Sequence, residues 1–321
     1  MRWALPLIFF ALAAPGSQAR LQSAGTALAL VTAETANQLI AVDLPSGRIV
    51  KRLRMPADPE NVETSSRTAV VVSTRGAAVT LVDVRHLRVE KVLRGFGSPH
   101  IPLIGRDERF AYVTDDARGQ LDVIDLARRR MTRRLQVGYG AHHMAEDGAG
   151  NQLWIALGES AHSIAVVDVS NAGRPRLLGH VDPHGAAHDL AFSPNDTRVW
   201  ITYNDRPEVG VFAASNGRRT RVLPAGSAPQ HVAFGPAGGG GHAYVTSGKD
   251  GTLRIYAAKS GRLLRVVPTS YGSFNLASYA SFVATSSLYR GTLIELGENG
   301  RRWLTTWVAP AARDIAVALL P

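Results

Sequence analysis

The chain has 321 residues, 45% of them hydrophobic, a formal net charge of +10 and no cysteine. That length holds a sizeable core, as two domains or as one large all-β domain, and the composition is not that of a disordered protein. The missing cysteine excludes disulfides, thiolate metal ligands, a cysteine nucleophile, cysteine-linked lipid and covalently attached haem.

Residues 1–19, MRWALPLIFFALAAPGSQA, carry one positive charge at Arg2, an apolar run from Trp3 to Ala14 and a small-residue exit at Ser17-Gln18-Ala19. The run is too short to span a bilayer comfortably, so a secretory signal peptide is expected. The mature chain, 20–321, is then a periplasmic or secreted protein with no membrane span, expected to be monomeric.

From Thr26 onward the sequence repeats. One segment of each unit ends in the same way: LeuIleAlaValAsp at 39–43, ValThrLeuValAsp at 79–83, LeuAspValIleAsp at 121–125 and IleAlaValValAsp at 164–168. ValGlyValPheAla at 209–213, LeuArgIleTyrAla at 253–257 and LeuIleGluLeuGly at 293–297 complete the set. The last positions are spaced by 40, 42, 43, 45, 44 and 40 residues, the period of a four-stranded propeller blade. The unit Ala228–Val267 shows the pattern most fully, as four short strands broken by glycine-rich turns. The recurrent Asp is expected to start a turn, its carboxylate accepting from a backbone N–H two residues on.

The preceding strand repeats as well, as LeuValThrAla at 30–33, TyrValThrAsp at 112–115, TrpIleThrTyr at 200–203 and TyrValThrSer at 244–247. TyrValThrAsp and TyrValThrSer, with preceding segments such as AlaPheSerProAsnAsp at 191–196, resemble the YVTN family of β-propeller repeats; units one, two and seven match only in apolar pattern. The resemblance implies a seven-bladed propeller over essentially the whole mature chain. No unit has the full Tyr-Val-Thr-Asn, and the family serves many roles.

The two ends complement each other. The first unit starts with a second-strand pattern, and ArgAspIleAlaValAlaLeu at 313–319 is a first-strand pattern with no unit after it. The expected fold is therefore an all-β, seven-bladed propeller of four-stranded antiparallel blades, closed by the C-terminal strand joining the N-terminal blade, which removes two sheet edges.

Arginine supplies nearly all of the positive charge, since lysine occurs only at 51, 91, 249 and 259. The arginines fall in or beside the last strand of each unit. Such a stripe can attract nucleic acid, anionic polysaccharide or acidic lipid headgroups. Protection of an outermost strand is the simpler account, and nucleic acid is disfavoured as a partner of an exported chain.

Aligning the residues that enter the first strand of each unit gives Asn61, His100, His143, His188, His231, Asn275 and Asp314, at the repeat spacing. Four successive units thus offer histidine at one equivalent position near the mouth of the channel. Shared ancestry explains the recurrence, with the imidazoles bonding backbone carbonyls of the neighbouring blade. A ligand site, or a metal site on His100, His143, His188 and His231, is the functional alternative, because imidazole is the commonest metal donor. An acid or base with a lowered pKa is a third. His142, His184, Asp189, Glu60, Glu146 and Asp147 are expected at the same level, although neighbours on a regular strand face opposite ways, so His142 and His143 should not share a face. Met144 reads as packing.

No metal signature such as HExxH is present, no GxSxG elbow occurs, and the glycine run at 235–241 lacks the GK[ST] ending of a phosphate loop. The leading expectation is an exported binding or scaffold propeller that recognises a protein partner or small ligand at the channel mouth, with a divalent metal as its one candidate cofactor. A metal-dependent lyase or lactonase at the same mouth is the alternative. An accessory role to exported redox enzymes is a third reading.

Overall fold

The computed structural model describes residues 26–158, 162–235 and 241–320. The segment read as a signal peptide and most of the 235–241 glycine run lie outside these residues. Twenty-eight strands run from β1 (Thr26–Ala33) to β28 (Ala312–Leu320) and form seven four-stranded antiparallel sheets. The innermost strands of the second to seventh blades are β4 (Pro59–Thr64), β8 (Pro99–Ile104), β12 (Met144–Glu146), β16 (Ala187–Phe192), β20 (Val232–Phe234) and β24 (Leu276–Tyr279). All seven strands of the 39–43 to 293–297 series end where the repeat placed them, at Asp43, Asp83, Asp125, Asp168, Ala213, Ala257 and Gly297.

The first blade is composite. Its order is β28, β1, β2 (Gln38–Asp43), β3 (Arg48–Arg54), and β28 pairs antiparallel with β1 from Thr26↔Leu320 to Ala33↔Ala312. A ring without free inner edges results. Among the described residues no helix is long and apolar enough to cross a membrane.

The core is a set of seams between blades. One seam packs Ala29, Val31 and Ile40 of the first blade against Ala284 and Leu293 of the seventh; another packs Trp154 against Leu190, Ile201 and Phe212. Each blade alone has two apolar faces, so only the closed ring removes them from water. In every blade the third and fourth strands are offset by a bulge, which adds twist toward the rim.

The repeated threonine of the second strand is a staple. Thr32 Oγ1 accepts from Asp314 N (3.0 Å) and donates to Glu60 O of the next blade (2.9 Å). Thr202 does the same with Asp189 N (3.1 Å) and Gln230 O (2.8 Å), and Thr246 with His231 N (3.1 Å) and Phe274 O. A hydroxyl is both donor and acceptor, so one small side chain fixes the entry of two inner strands.

The outer arginines also join blades. Arg52 donates to Val308 O (3.0 Å), Arg134 to Gly95 O (2.8 Å) and Arg302 to Pro268 O (2.8 Å), each across a blade boundary. The repeated aspartates do cap turns, but mostly one residue further on than expected: Asp43, Asp83 and Asp125 accept from the N–H three residues ahead, and Asp168 from two ahead.

Candidate functional site

The entries of the inner strands meet at one mouth of the channel, and there five imidazoles touch. His100 stacks on His142 with ring centroids 3.7 Å apart, and His143 lies 4.5 Å from His188 and 4.6 Å from His231. His142 and His143 are themselves 4.9 Å apart, so both join the cluster. The expectation that they face opposite ways fails because the strand is bulged. His142 N donates to Ala156 O (2.9 Å) while Ala156 N donates to His143 O (2.8 Å), so two residues oppose one. Gly140 allows the turn just before: its φ is +72°, and a Cβ there would lie 2.4 Å from Leu157 O.

The equivalence of the four histidines also needs correction. The residues whose N–H donates to the staple threonine are Asp314, Ile101, Asp189 and His231. His100 and His188 therefore sit one residue earlier, where bulges shift the inner strand between Pro99 and Pro102 and between Ala187 and Leu190. The bulge lets a blade present two consecutive side chains, and this is how His188 and Asp189 both reach the site.

Four of the imidazoles have a carboxylate behind Nδ1. Glu60 Oε2 is 3.3 Å from His100, Asp116 Oδ2 3.5 Å from His142, Asp189 Oδ1 3.3 Å from His143, and Asp189 Oδ2 3.6 Å from His231. Asp189 also accepts from Val232 N at 2.8 Å. The fifth, His188, has a buried Nδ1 with no hydrogen-bond partner. Among the described residues none of the five clustered imidazoles bonds a neighbouring blade's carbonyl in the way that shared ancestry alone suggested; His180, outside the cluster, does so with Val137 O at 3.0 Å. At the mouth that role falls to Asn61, whose Nδ2 donates to His100 O at 2.8 Å.

Asn61, Asn275 and Asp314 close the other side of the ring. Asn275 Nδ2 donates to Asp314 Oδ1 (2.8 Å) and Asn61 Oδ1 (3.4 Å), and Asp314 Oδ2 accepts from Val62 N (2.8 Å). The seven aligned residues thus do converge. His184 does not: it pairs with Asp182 (3.4 Å) and its ring lies along Phe212. Glu146 lines the opposite mouth, and Asp147 caps a turn through Asn151 N and Gln152 N. Met144 is buried in the core, as packing. Arg313 escaped the sequence reading. It reaches Glu34 (2.8 Å) and Glu60 (3.5 Å), tying the closing strand to the carboxylate behind His100. Its only signal was its place beside Asp314.

Burial holds His100, His143 and His188 well below the usual imidazole range, and neighbouring imidazoles push the same way, joined by Arg313 for His100 and His188. All three are neutral at pH 7 and keep a lone pair. Burial raises the carboxyls of Asp189 and Asp314, and pushes Glu63, deeper in the channel, to about 7.

Donor atoms of His100, His142 and His143 lie within 4.8 Å of one another, and so do those of His143, His188 and His231. A neutral imidazole whose Nδ1 faces a carboxylate offers Nε2 to a metal, with tautomer and ring orientation already set. Above the rings is a cavity of about 390 Å³, lined by all five histidines, Asn61, Asn204, Gln230, Lys249, Asn275 and Arg313 among others. Below them the channel holds a second space of about 290 Å³ with Asp189, Asp314 and Glu63 in its wall.

No family model and no curated protein matches the chain. Among solved structures it is similar to a functionally unknown protein from Desulfotomaculum acetoxidans, with a TM-score of 0.79, 14% identity, and 92% and 99% of the two chains covered. It is also similar to Kuenenia stuttgartiensis hydrazine synthase (0.70, 16%, 82% and 90%) and to apo AztD from Citrobacter koseri (0.71, 11%, 92% and 99%). At these identities the likeness concerns the fold alone.

Proposed function

We propose that this chain is an exported, metal-binding propeller of YVTN type that holds one transition-metal ion at the histidine mouth. One observation carries the reading: two three-histidine sets share His143, in a site whose imidazoles are mostly backed by carboxylates. Nitrogen donors without a carboxylate in the first ring suit zinc or copper(II) and disfavour magnesium or calcium. The orphaned Nδ1 of His188 supports the same reading, since a buried polar atom with no partner costs about 1–3 kcal/mol unless a ligand takes it up. His143 has its Nδ1 against Asp189, so it serves one set at a time, and the capacity is one ion per chain.

The rigid ring and its loop-rich mouth suit a carrier or scaffold that offers the bound ion to a protein partner outside the cytoplasm. A metal-dependent lyase or lactonase would need a general base over the open face of the ion. Among the described residues the cavity there presents no carboxylate, so that base would have to be one of the two imidazoles left off the ion.

Metal analysis and calorimetric titration of the purified chain with Zn²⁺, Cu²⁺, Mn²⁺, Ca²⁺ and Mg²⁺ test this. One equivalent of Zn²⁺ or Cu²⁺ is expected, lost in His143→Ala because that residue belongs to both sets. A chain that binds none of the five ions and gains no thermal stability from them overturns the proposal.

A further inference from the structure

Charge is layered along the channel axis. Below the histidines the wall carries the carboxyls of Asp189, Asp314 and Glu63. Above them the 390 Å³ cavity has no Asp or Glu among its described lining residues, and instead has the Lys249 cation, the Asn204 and Gln230 amides and Arg313, which Glu34 and Glu60 already pair. An ion held by three neutral imidazoles keeps both of its charges, and the carboxylates nearby stand behind the ligands rather than on the ion. His143 and His231 border both spaces, but only the upper one, with its hydrogen-bond donors and Lys249, is shared by all five imidazoles.

We infer that the ion is held as a ternary complex with a small multidentate carboxylate anion, which fills the mouth cavity and completes the coordination. This rests on the metal-binding reading above. One carboxylate of the anion replaces solvent on the ion. Another meets Lys249 and the amide groups, because the Arg313 guanidinium is already taken by Glu34 and Glu60. Size agrees, since liquid water occupies about 30 Å³ per molecule, so the cavity has room for a ligand of about a dozen non-hydrogen atoms. Phe274 and Leu288 give it one apolar wall for a carbon skeleton. No bond is made or broken within the anion; the step is an exchange of ligands on the metal.

The experiment loads the full chain with one equivalent of Co²⁺ as a visible probe and titrates it with citrate, and separately with oxalate, following the cobalt absorption bands and the heat. Metal-free protein is titrated in parallel. The expected result is a spectral change saturating at one anion per cobalt, with the ion still on the protein after desalting. Affinity should be at least tenfold higher than for metal-free protein, and at least tenfold weaker in Lys249→Met. Cobalt uptake with no response to either anion overturns this inference and leaves the metal reading standing. Extraction of cobalt into solution by the anions overturns it too, because competition has replaced a ternary complex. Failure to take up cobalt at all overturns the metal reading and this inference with it.

Discussion

Removing residues 311–321 tests the closure that the whole site hangs on. The deletion takes away β28, whose Ala312, Ile315, Ala316 and Ala318 are buried, and bares the edge of β1 along Leu28, Ala29, Leu30 and Val31. Burying one isoleucine is worth about 2–3 kcal/mol and each methyl about 0.8 kcal/mol. The lost side chains of β28 alone therefore amount to about 5 kcal/mol, before the uncovered face of β1 is counted. A domain's entire stability is about 5–15 kcal/mol. The truncated chain should lose its cooperative urea transition, seen as a broad unfolding curve with a lowered m-value by circular dichroism. Ile315→Ala keeps the strand and should cost about 2–4 kcal/mol with an unchanged m-value. A truncated chain that unfolds at the same urea midpoint and with the same slope as the full chain would refute the account of closure.

Three further perturbations probe the site and its supports. Asp189→Asn removes the charge shared by His143 and His231 and should weaken zinc about 10–100-fold in a competition assay, as loss of outer-shell partners does elsewhere; unchanged affinity would show that Asp189 orients neither ring. Asp122 is buried beside Asp115, 3.5 Å from Arg134, and burial pushes its carboxyl to about 7. Folded chain then holds a proton that the unfolded chain has released between about pH 4 and 7, so this contribution to stability is present at low pH and lost as pH rises through 7. Asp122→Asn should therefore gain on the wild type by up to about 4 kcal/mol from pH 4 to pH 8 in urea titrations, and a pH-independent difference would refute the shift. Neutral His100, His143 and His188 push the other way, losing stability below their unfolded pKa, but they are common to both proteins and cancel. Gly140→Ala should lower the melting temperature and weaken zinc together, because the added Cβ meets Leu157 O in the turn that delivers His142 and His143; a variant with wild-type melting and zinc affinity would show that the turn is not constrained.

Much of the architecture was legible because the repeat encodes it redundantly. Strand ends, blade number and the composite first blade each follow from a period seen seven times, so an error in one unit is corrected by the others. The site was legible only to within one residue. His143 and His231 lie where the repeat placed them, alongside Asp189 and Asp314, while His100 and His188 come one residue early. The reason is that a bulge leaves spacing and composition almost unchanged. It inserts one residue into a strand, a change no larger than the variation in length between units, so an alignment on the imidazole absorbs it silently. Only the threonine hydroxyls report the true register, because each must meet a particular N–H. The same bulges are what the site depends on. A regular inner strand gives the axis one side chain per blade at this level, and seven such positions would hold two histidines, His143 and His231. Bulged entries bring His100, His142 and His188 to the same mouth, with Asp189 left to orient the rings of His143 and His231. Straightening one entry is therefore a sharper test than removing a ligand. Deleting Ala187 should draw His188 out of the ring cluster while every histidine remains in the chain, and zinc affinity should fall as far as it does in His188→Ala. Equal affinity in the deletion variant and the wild type would mean that the bulge is incidental to the site.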